Sequence, residues 1–361
     1  MKILVYDDNP DFGGHQIMAC LGVEALASDP LLEITFMLNP ANRRLADRLA
    51  TIENIQTLES PCTTRRLQGL RNRIDRRGIR TVEKHLQILK PDLVLCIQGD
   101  IEDASQGVIA VRRAGIKCVS YIAIPHRMAV MGAKLGALRD RVNQYLFNQP
   151  DRFITISDSM QALLIERGVK KPITIVPNGI PEPSGSIITT HGSRLTLGLL
   201  GRIEFNQKQQ DFMVRAFCKN PVTFKECRLL IAGDGPDQEK LKALIIGNKN
   251  ITIQPWQQDA EAFYAAIDFL VIPSRFEGLP LIMLEALARG VPVIGSARDG
   301  MKDMLPKAWT FETENSDALA ETFSALRKNG APEITRLQEK VLSENSLSAF
   351  KTAFCKAVTG N

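Results

Sequence analysis

The sequence predicts an α/β protein made of two doubly wound, Rossmann-like domains that face each other across a cleft. Three observations predict it. Short apolar strands alternate with helical stretches along the whole chain. Its 361 residues are long for one domain and comfortable for two. A run dense in Pro, Gly, Asn and Ser, PITIVPNGIPEPSGS, divides the alternation into two series. The expected layout is a first domain at 1–178, a linker at 179–192, a second domain at 193–343, and a terminal stretch at 344–361.

Taken in order, residues 2–8 are an aliphatic, β-branched strand, followed by a tight turn at Phe12-Gly13-Gly14. Helical apolar spacing at Ile17, Cys20, Leu21 and Leu26 covers 15–27. A strand at 32–38 leads into a charged region read as helical from 43 to 89. DLVLCIQ at 92–98 is a continuous apolar strand of the kind buried on both faces. A helix at 108–114, a strand at 117–124, a helix at 135–147 and a strand at 152–157 complete the first series. The second series places strands at 194–201, 227–232, 251–255, 269–272 and 292–294. The tail from 331 to 358 reads as helical with no strand after it.

The stretch DFLVIPSRFEGLPLIMLEALARGVPVIGSARDG (268–300) is the most informative. Strand, helix and strand joined by such short turns form a βαβ unit with parallel neighbouring strands. Pro280 suits the first helical turn and Gly290 the position just past the helix end. The helix is apolar almost all round, so it is buried, and its carboxylate at Glu285 must find hydrogen-bond donors. Glu277 and Gly278 stand just before the helix, where backbone N–H groups and partial positive charge collect. Such a loop at the carboxyl end of a parallel strand suits a phosphate. The bland alternative is that Glu277 caps the helix and Glu285 pairs with an arginine.

Hydrophobic residues make up 44% and charged residues 24%, as in a globular protein with an ample core. No apolar run approaches the ~18 residues that span a bilayer. The first strand starts without a cleavable apolar region, so a cytoplasmic location is expected. Seven cysteines with no CxxC pair point to reduced, packing thiols. The net charge of +5 is unevenly placed, with an excess between Arg65 and Lys84. That patch reads either as a solvated helical face or as a peripheral contact with an anionic membrane or anionic acceptor. It holds no aromatic residue to stack on a base, which disfavours nucleic acid.

Several further residues sit where strands end. Gly13 and Gly14 open a helix in a turn that is either tight packing or a phosphate contact. Arg202 and Lys208 follow a strand, and together a guanidinium and an ammonium suit a diphosphate, unless both are only solvated. Gly233 and Gly235 form a turn that either approaches a base or ribose or simply reverses the chain. His126 ends a strand of the first domain and reads either as a structural histidine or as a group facing the expected cleft. No metal site is read: the acidic group at 100–103 more simply caps the following helix.

Together these residues resemble the retaining glycosyltransferases of family 4, which have the GT-B fold. The resemblance rests on DNPDFGGHQ, His126, VPNGI, GRIEFNQKQQDFMVRAF, LLIAGDGPDQEKL and FEGLPLIMLEALARGVPVIGS, the last containing the family's E-x7-E signature. It implies that Glu277 lies against the donor sugar, that Glu285 binds the ribose, and that Arg202 and Lys208 hold the diphosphate with the N–H groups of Gly278 and Leu279. It also implies that Gly14 closes on the phosphate from the other domain and that His126 touches the sugar. The final helix would cross back to the first domain. The implied substrates are a nucleotide-diphosphate sugar, with a UDP-sugar slightly favoured, and a glycan or lipid-linked acceptor, with no metal or other cofactor. A GT-B epimerase, a phosphorylase and a non-catalytic sugar-nucleotide binder remain as rivals. Two departures stand out: Arg127 follows His126 where relatives often carry Asp, and Gln209 follows Lys208 where Gly is usual.

Overall fold

A computed structural model describes residues 1–183, 194–255 and 260–360. Its chain divides into two units, 1–179 with 348–361, and 180–347. The stretch 184–192 of the expected linker lies outside the described residues.

Unit 1 is a seven-stranded parallel sheet in the order β3-β2-β1-β4-β5-β6-β7. Its strands are β1 (Lys2–Asp7), β2 (Glu33–Leu38), β3 (Ile55–Glu59), β4 (Leu93–Gln98), β5 (Lys117–Ile122), β6 (Arg152–Thr155) and β7 (Ile173–Ile175). β4, at the centre, is buried at every position, as a strand covered by helices on both faces must be. The core around it includes Tyr6, Val94, Cys96, Val108, Phe147 and Phe153.

Unit 2 is a six-stranded parallel sheet in the order β10-β9-β8-β11-β12-β13. Here β8 is Leu195–Leu200, β9 Cys227–Ala232, β10 Ile251–Gln254, β11 Phe269–Ile272, β12 Val293–Ser296 and β13 Thr310–Phe311. Both sheets therefore start in the middle, run outward to one edge, and return to build the other half. The strand order reverses between β1 and β4 in unit 1, and between β8 and β11 in unit 2. Ligands of open α/β sheets bind at the carboxyl ends of such strands.

The buried helix of 268–300 spans Leu281–Ala288 and packs Met283, Leu284, Ala286, Leu287 and Ala288 inward. Gly290 takes the left-handed conformation (φ 74°) just past its end. Pro280 is the N-cap, with extended backbone, one residue earlier than its composition suggests.

Four expectations need correction. The region 43–89 is not all helical: it holds helices Arg43–Leu49, Gln68–Ile74 and Arg77–Leu89, with β3 between the first two. β7 lies inside the Pro-rich run assigned to the linker. The tail is two helices, Ile334–Glu344 and Leu347–Thr359, broken where Ile180 bridges Ser346. Finally, the acidic group at 100–103 does not cap the next helix, whose N-cap makes no side-chain bond. Asp103 accepts instead from the N–H groups of Gly99 and Asp100, and Glu102 pairs with Arg139 at 2.8 Å, nearly buried.

From Ser348 onward, helix Leu347–Thr359 is part of unit 1. Phe354 stands edge-on to Tyr121, 5.7 Å between centroids, and fills the space over Gly22, where an added Cβ would meet its ring at 2.4 Å. Lys351 pairs with Glu24 and Arg152 donates to the carbonyl of Val358. Among the described residues no helix is long and apolar enough to cross a membrane.

Candidate functional site

In unit 2 the reversal of strand order sets the loop after β8 beside the loop after β11. The two loops are laced together. Arg275 donates its N–H to the carbonyl of Gln207 and its guanidinium to that of Asn206, and the Gln207 amide donates to the carbonyl of Phe276. Across this seam Lys208 donates its ammonium to Glu277 at 2.5 Å. Glu277 is 5% exposed, so its charge is paired where water cannot solvate it. It does not cap the helix, whose N-cap makes no side-chain bond.

The main-chain N–H of Glu277 is donated to Asp299 at 2.9 Å, and that of Gly300 to the carbonyl of Gly278 at 3.0 Å. Gly278 and Leu279 are thus held between two helix starts. On the helix itself, Glu285 accepts from the hydroxyl of Tyr264 at 2.6 Å. Tyr264 is buried, and burial followed by the Glu285 charge pushes its hydroxyl well above the ordinary range, so it stays a donor. Arg289 does not pair with the Glu285 carboxylate. It is bonded to Glu261 and lies 5.0 Å over the Tyr264 ring.

Arg202 is the exposed cation of the site, with 56% of its side chain in solvent and Glu204 no closer than 3.8 Å. Its loop is positioned by the turn after β9. The N–H of Ile203 is donated to the carbonyl of Asp234 and that of Asp237 to the carbonyl of Ile203. A Cβ on Gly233 would fall 1.9 Å from the carbonyl oxygen of Gly201, and one on Gly235 2.3 Å from that of Ile203. The close approach that these glycines permit is therefore to the Arg202 loop.

Gln209 occupies the left-handed region (φ 54°), between the short helix Phe205–Lys208 and helix Gln210–Lys219. That conformation favours glycine. Its amide donates to Glu314, which also takes the Arg275 guanidinium and is held below the usual carboxylate range by it.

Gly13, Gly14 and His126 belong to unit 1. Gly13 is the N-cap of helix Gly14–Ala27, and its N–H is taken by the Gln16 side chain at 2.7 Å. His126 is 5% exposed, just past β5. Gly99, after β4, receives the N–H of Ile124 and lies against the His15 ring. The ends of β1, β4 and β5 meet there over a group of acids. Asp7 and Asp8 are fully buried. Burial pushes Asp7 up to about 7 and Asp100 up to about 6, and burial with the Asp100 charge raises Asp103 well above the usual carboxylate range. Burial lowers His15 to about 4, so its ring is neutral at physiological pH. Among the described residues no group of three or more His, Cys, Asp or Glu side chains could hold a metal ion.

Sequence reasoning missed Tyr264, Asp299, Arg275 and Glu314. Arg275 stands two residues before Glu277 and was legible by adjacency. The others come from elements whose approach only the fold reveals.

The Glycosyltransferase Family 4 model matches residues 38–182 and the Glycosyl transferases group 1 model residues 194–329. The lipopolysaccharide 1,6-galactosyltransferase of Escherichia coli K12 is 28% identical over 60% of this chain and 59% of its own length. The sulfoquinovosyl transferase SQD2 of Arabidopsis thaliana is 36% identical over 23% of this chain and 16% of its own. The matched stretch is thus less than two thirds of either relative. The Anabaena protein HepE, solved with UDP and glucose, superposes with a TM-score of 0.78 at 15% identity, all of both chains being covered. The lipopolysaccharide outer core galactosyltransferase WaaB gives 0.74 at 18% identity, over 100% of this chain and 99% of its own. These likenesses show the GT-B fold.

Proposed function

We propose, for a chain that belongs to the group 1 and Family 4 glycosyltransferases, that it moves a hexose-type sugar with retention from a nucleotide diphosphate to a cell-envelope glycan or lipid-linked acceptor. The observation that carries the reading is the pairing of Lys208 with Glu277 at the β8/β11 reversal, with Arg202 exposed beside it. UDP is the favoured nucleotide, since HepE was solved with it.

A departing diphosphate needs positive charge fixed in place before it leaves. Arg202 supplies a forked donor at the open side of the loop, and Lys208 supplies a compact cation that can share itself between Glu277 and a phosphate oxygen. Two such cations carry the charge that a divalent ion would otherwise carry, so we read the transfer as metal-independent. Glu277, tied to Lys208, orients the sugar hydroxyls. The acceptor oxygen attacks from the face the diphosphate leaves, and the leaving phosphate takes its proton. Glu285, fixed by Tyr264, receives the ribose hydroxyls, and His126 contacts the transferring sugar.

The test is thermal denaturation with UDP, GDP, ADP and CMP, with and without EDTA. A ligand at about 100 times its dissociation constant adds about 2.7 kcal/mol of stability. Stabilisation by one nucleoside diphosphate, unchanged by EDTA and lost in Arg202→Ala, is the expected outcome; no shift with any nucleotide refutes the reading. We also propose that the arginines between Arg65 and Lys84 touch an anionic membrane. Ile74, 86% exposed among them, would enter the headgroup layer. Binding to phosphatidylserine vesicles that fades with salt is expected, and equal binding to neutral vesicles counts against it.

A further inference from the structure

A second site lies in unit 1, beside His126. The segment from 127 to 141 carries Arg127, Lys134, Arg139 and Arg141 against one acid, Asp140. It borders an open surface pocket of about 420 Å³ lined by Arg127, Ala129, Ala137, Asp140, Arg141 and Gln144.

The single acid in that lining is already satisfied. Asp140 accepts from the N–H groups of Met128 and Ala129 and pairs with the buried Arg167 at 2.9 Å. Arg139 is turned away and bonded to Glu102. Arg141 is exposed. Arg127 meets Glu166 at 2.7 Å, with both side chains about half in solvent. Exposed pairs of this kind are weak and exchange readily for a better anion. The pocket therefore presents two guanidinium groups to whatever enters, the Gln144 amide being donated to the carbonyl of Arg167. Such a donor set recognises a phosphate or carboxylate in the forked geometry that a lysine cannot supply.

We propose that this pocket binds an anionic group, phosphate or carboxylate, carried by the acceptor saccharide, and that Arg127 and Arg141 select acceptors bearing it. Only the identification of the ligand as an acceptor rests on the transferase reading; the anion site stands on its own lining. Arg127 follows His126 directly, so the anion would be gripped next to the residue proposed to meet the transferring sugar.

The test is saturation-transfer NMR of the full chain with glucose 6-phosphate, glucuronate and glucose, with UDP affinity measured on the same samples. Binding of the phosphorylated or carboxylated sugar but not of glucose is expected. It should weaken about tenfold in Arg141→Ala and further in Arg127→Ala/Arg141→Ala, fade with salt, and persist in Arg202→Ala. The two anionic sugars distinguish a phosphate site from a carboxylate site. Glucose binding as well as its anionic forms, no binding of either anion, or unchanged binding in the double variant overturns the proposal. So does loss of binding in Arg202→Ala, which would place the anion in unit 2. Loss of UDP binding with anion binding intact sinks the transferase reading and leaves this site standing.

Discussion

At the β1/β4 reversal of unit 1 the strand ends gather acids: Asp7 and Asp8 fully buried, Asp100 and Asp103 half-buried, their carboxyls pushed toward the neutral form. At the β8/β11 reversal of unit 2 the same point of the same topology gathers Arg202, Lys208 and Arg275, with each nearby acid paired to a cation or a donor. The backbone makes a crevice in both cases. Which charge fills it depends on a few loop residues, so the topology says where a ligand sits and the loops say what it is.

The largest test of that contrast is at Glu277. Glu277→Ala should lower kcat at least about a thousandfold, ~4 kcal/mol, while the Kd for UDP moves only a few-fold. An unchanged turnover removes Glu277 from the sugar.

On the acid side, Asp7 keeps a proton in the native state that the unfolded chain releases between about pH 4 and 7. The native state then binds more protons than the unfolded one, so this group makes stability fall as pH rises through that window, by up to about 4 kcal/mol, and stay flat above it. His15 acts in the opposite sense: the unfolded chain takes up a proton below about 6.5 that the native ring refuses until about 4. Urea unfolding of Asp7→Asn across pH 4 to 8 isolates the first effect. The difference between variant and parent should change by a few kcal/mol, and a constant difference would mean that the acid crevice is solvated.

Tyr264→Phe should raise the Kd for UDP about tenfold, the worth of one hydrogen bond to a charged group, with kcat at saturating donor nearly unchanged. A loss confined to kcat would move Glu285 from the ribose to the sugar. The smallest effect belongs to Gln209→Gly. Relief of the left-handed backbone gains about 1 kcal/mol and loss of the Glu314 bond costs about as much, so the unfolding midpoint should scarcely move. A strong destabilisation would show that Gln209 holds the Lys208 loop.

The interior strands of both sheets were legible because burial on two faces demands unbroken apolar runs, as in LVLCIQ and FLVI. Of the edge strands only β10 was read; β3, β7 and β13 were not. β3 is IQTLE with four of its five residues exposed, and β7 is ITI with none fully buried. An edge needs no apolar face, so it leaves no period to read. Arg202, Lys208, Glu277 and Glu285 were legible from their places at strand ends and along one helix, whereas Arg275 and Glu314 went unread. Tyr264 and Asp299 were not legible, because their partners lie about twenty residues away in sequence and nothing local announces the meeting.

Helix Leu347–Thr359 has a consequence for synthesis. The ribosome finishes all of unit 2 before it releases the segment whose Phe354 plugs the space over Gly22. At translation speeds of about 5–20 residues per second, unit 1 waits on the order of ten seconds or more with Gly22, Tyr121 and Arg152 uncovered. During that interval the half of the protein made first is the half still incomplete, and chaperone occupancy should peak there.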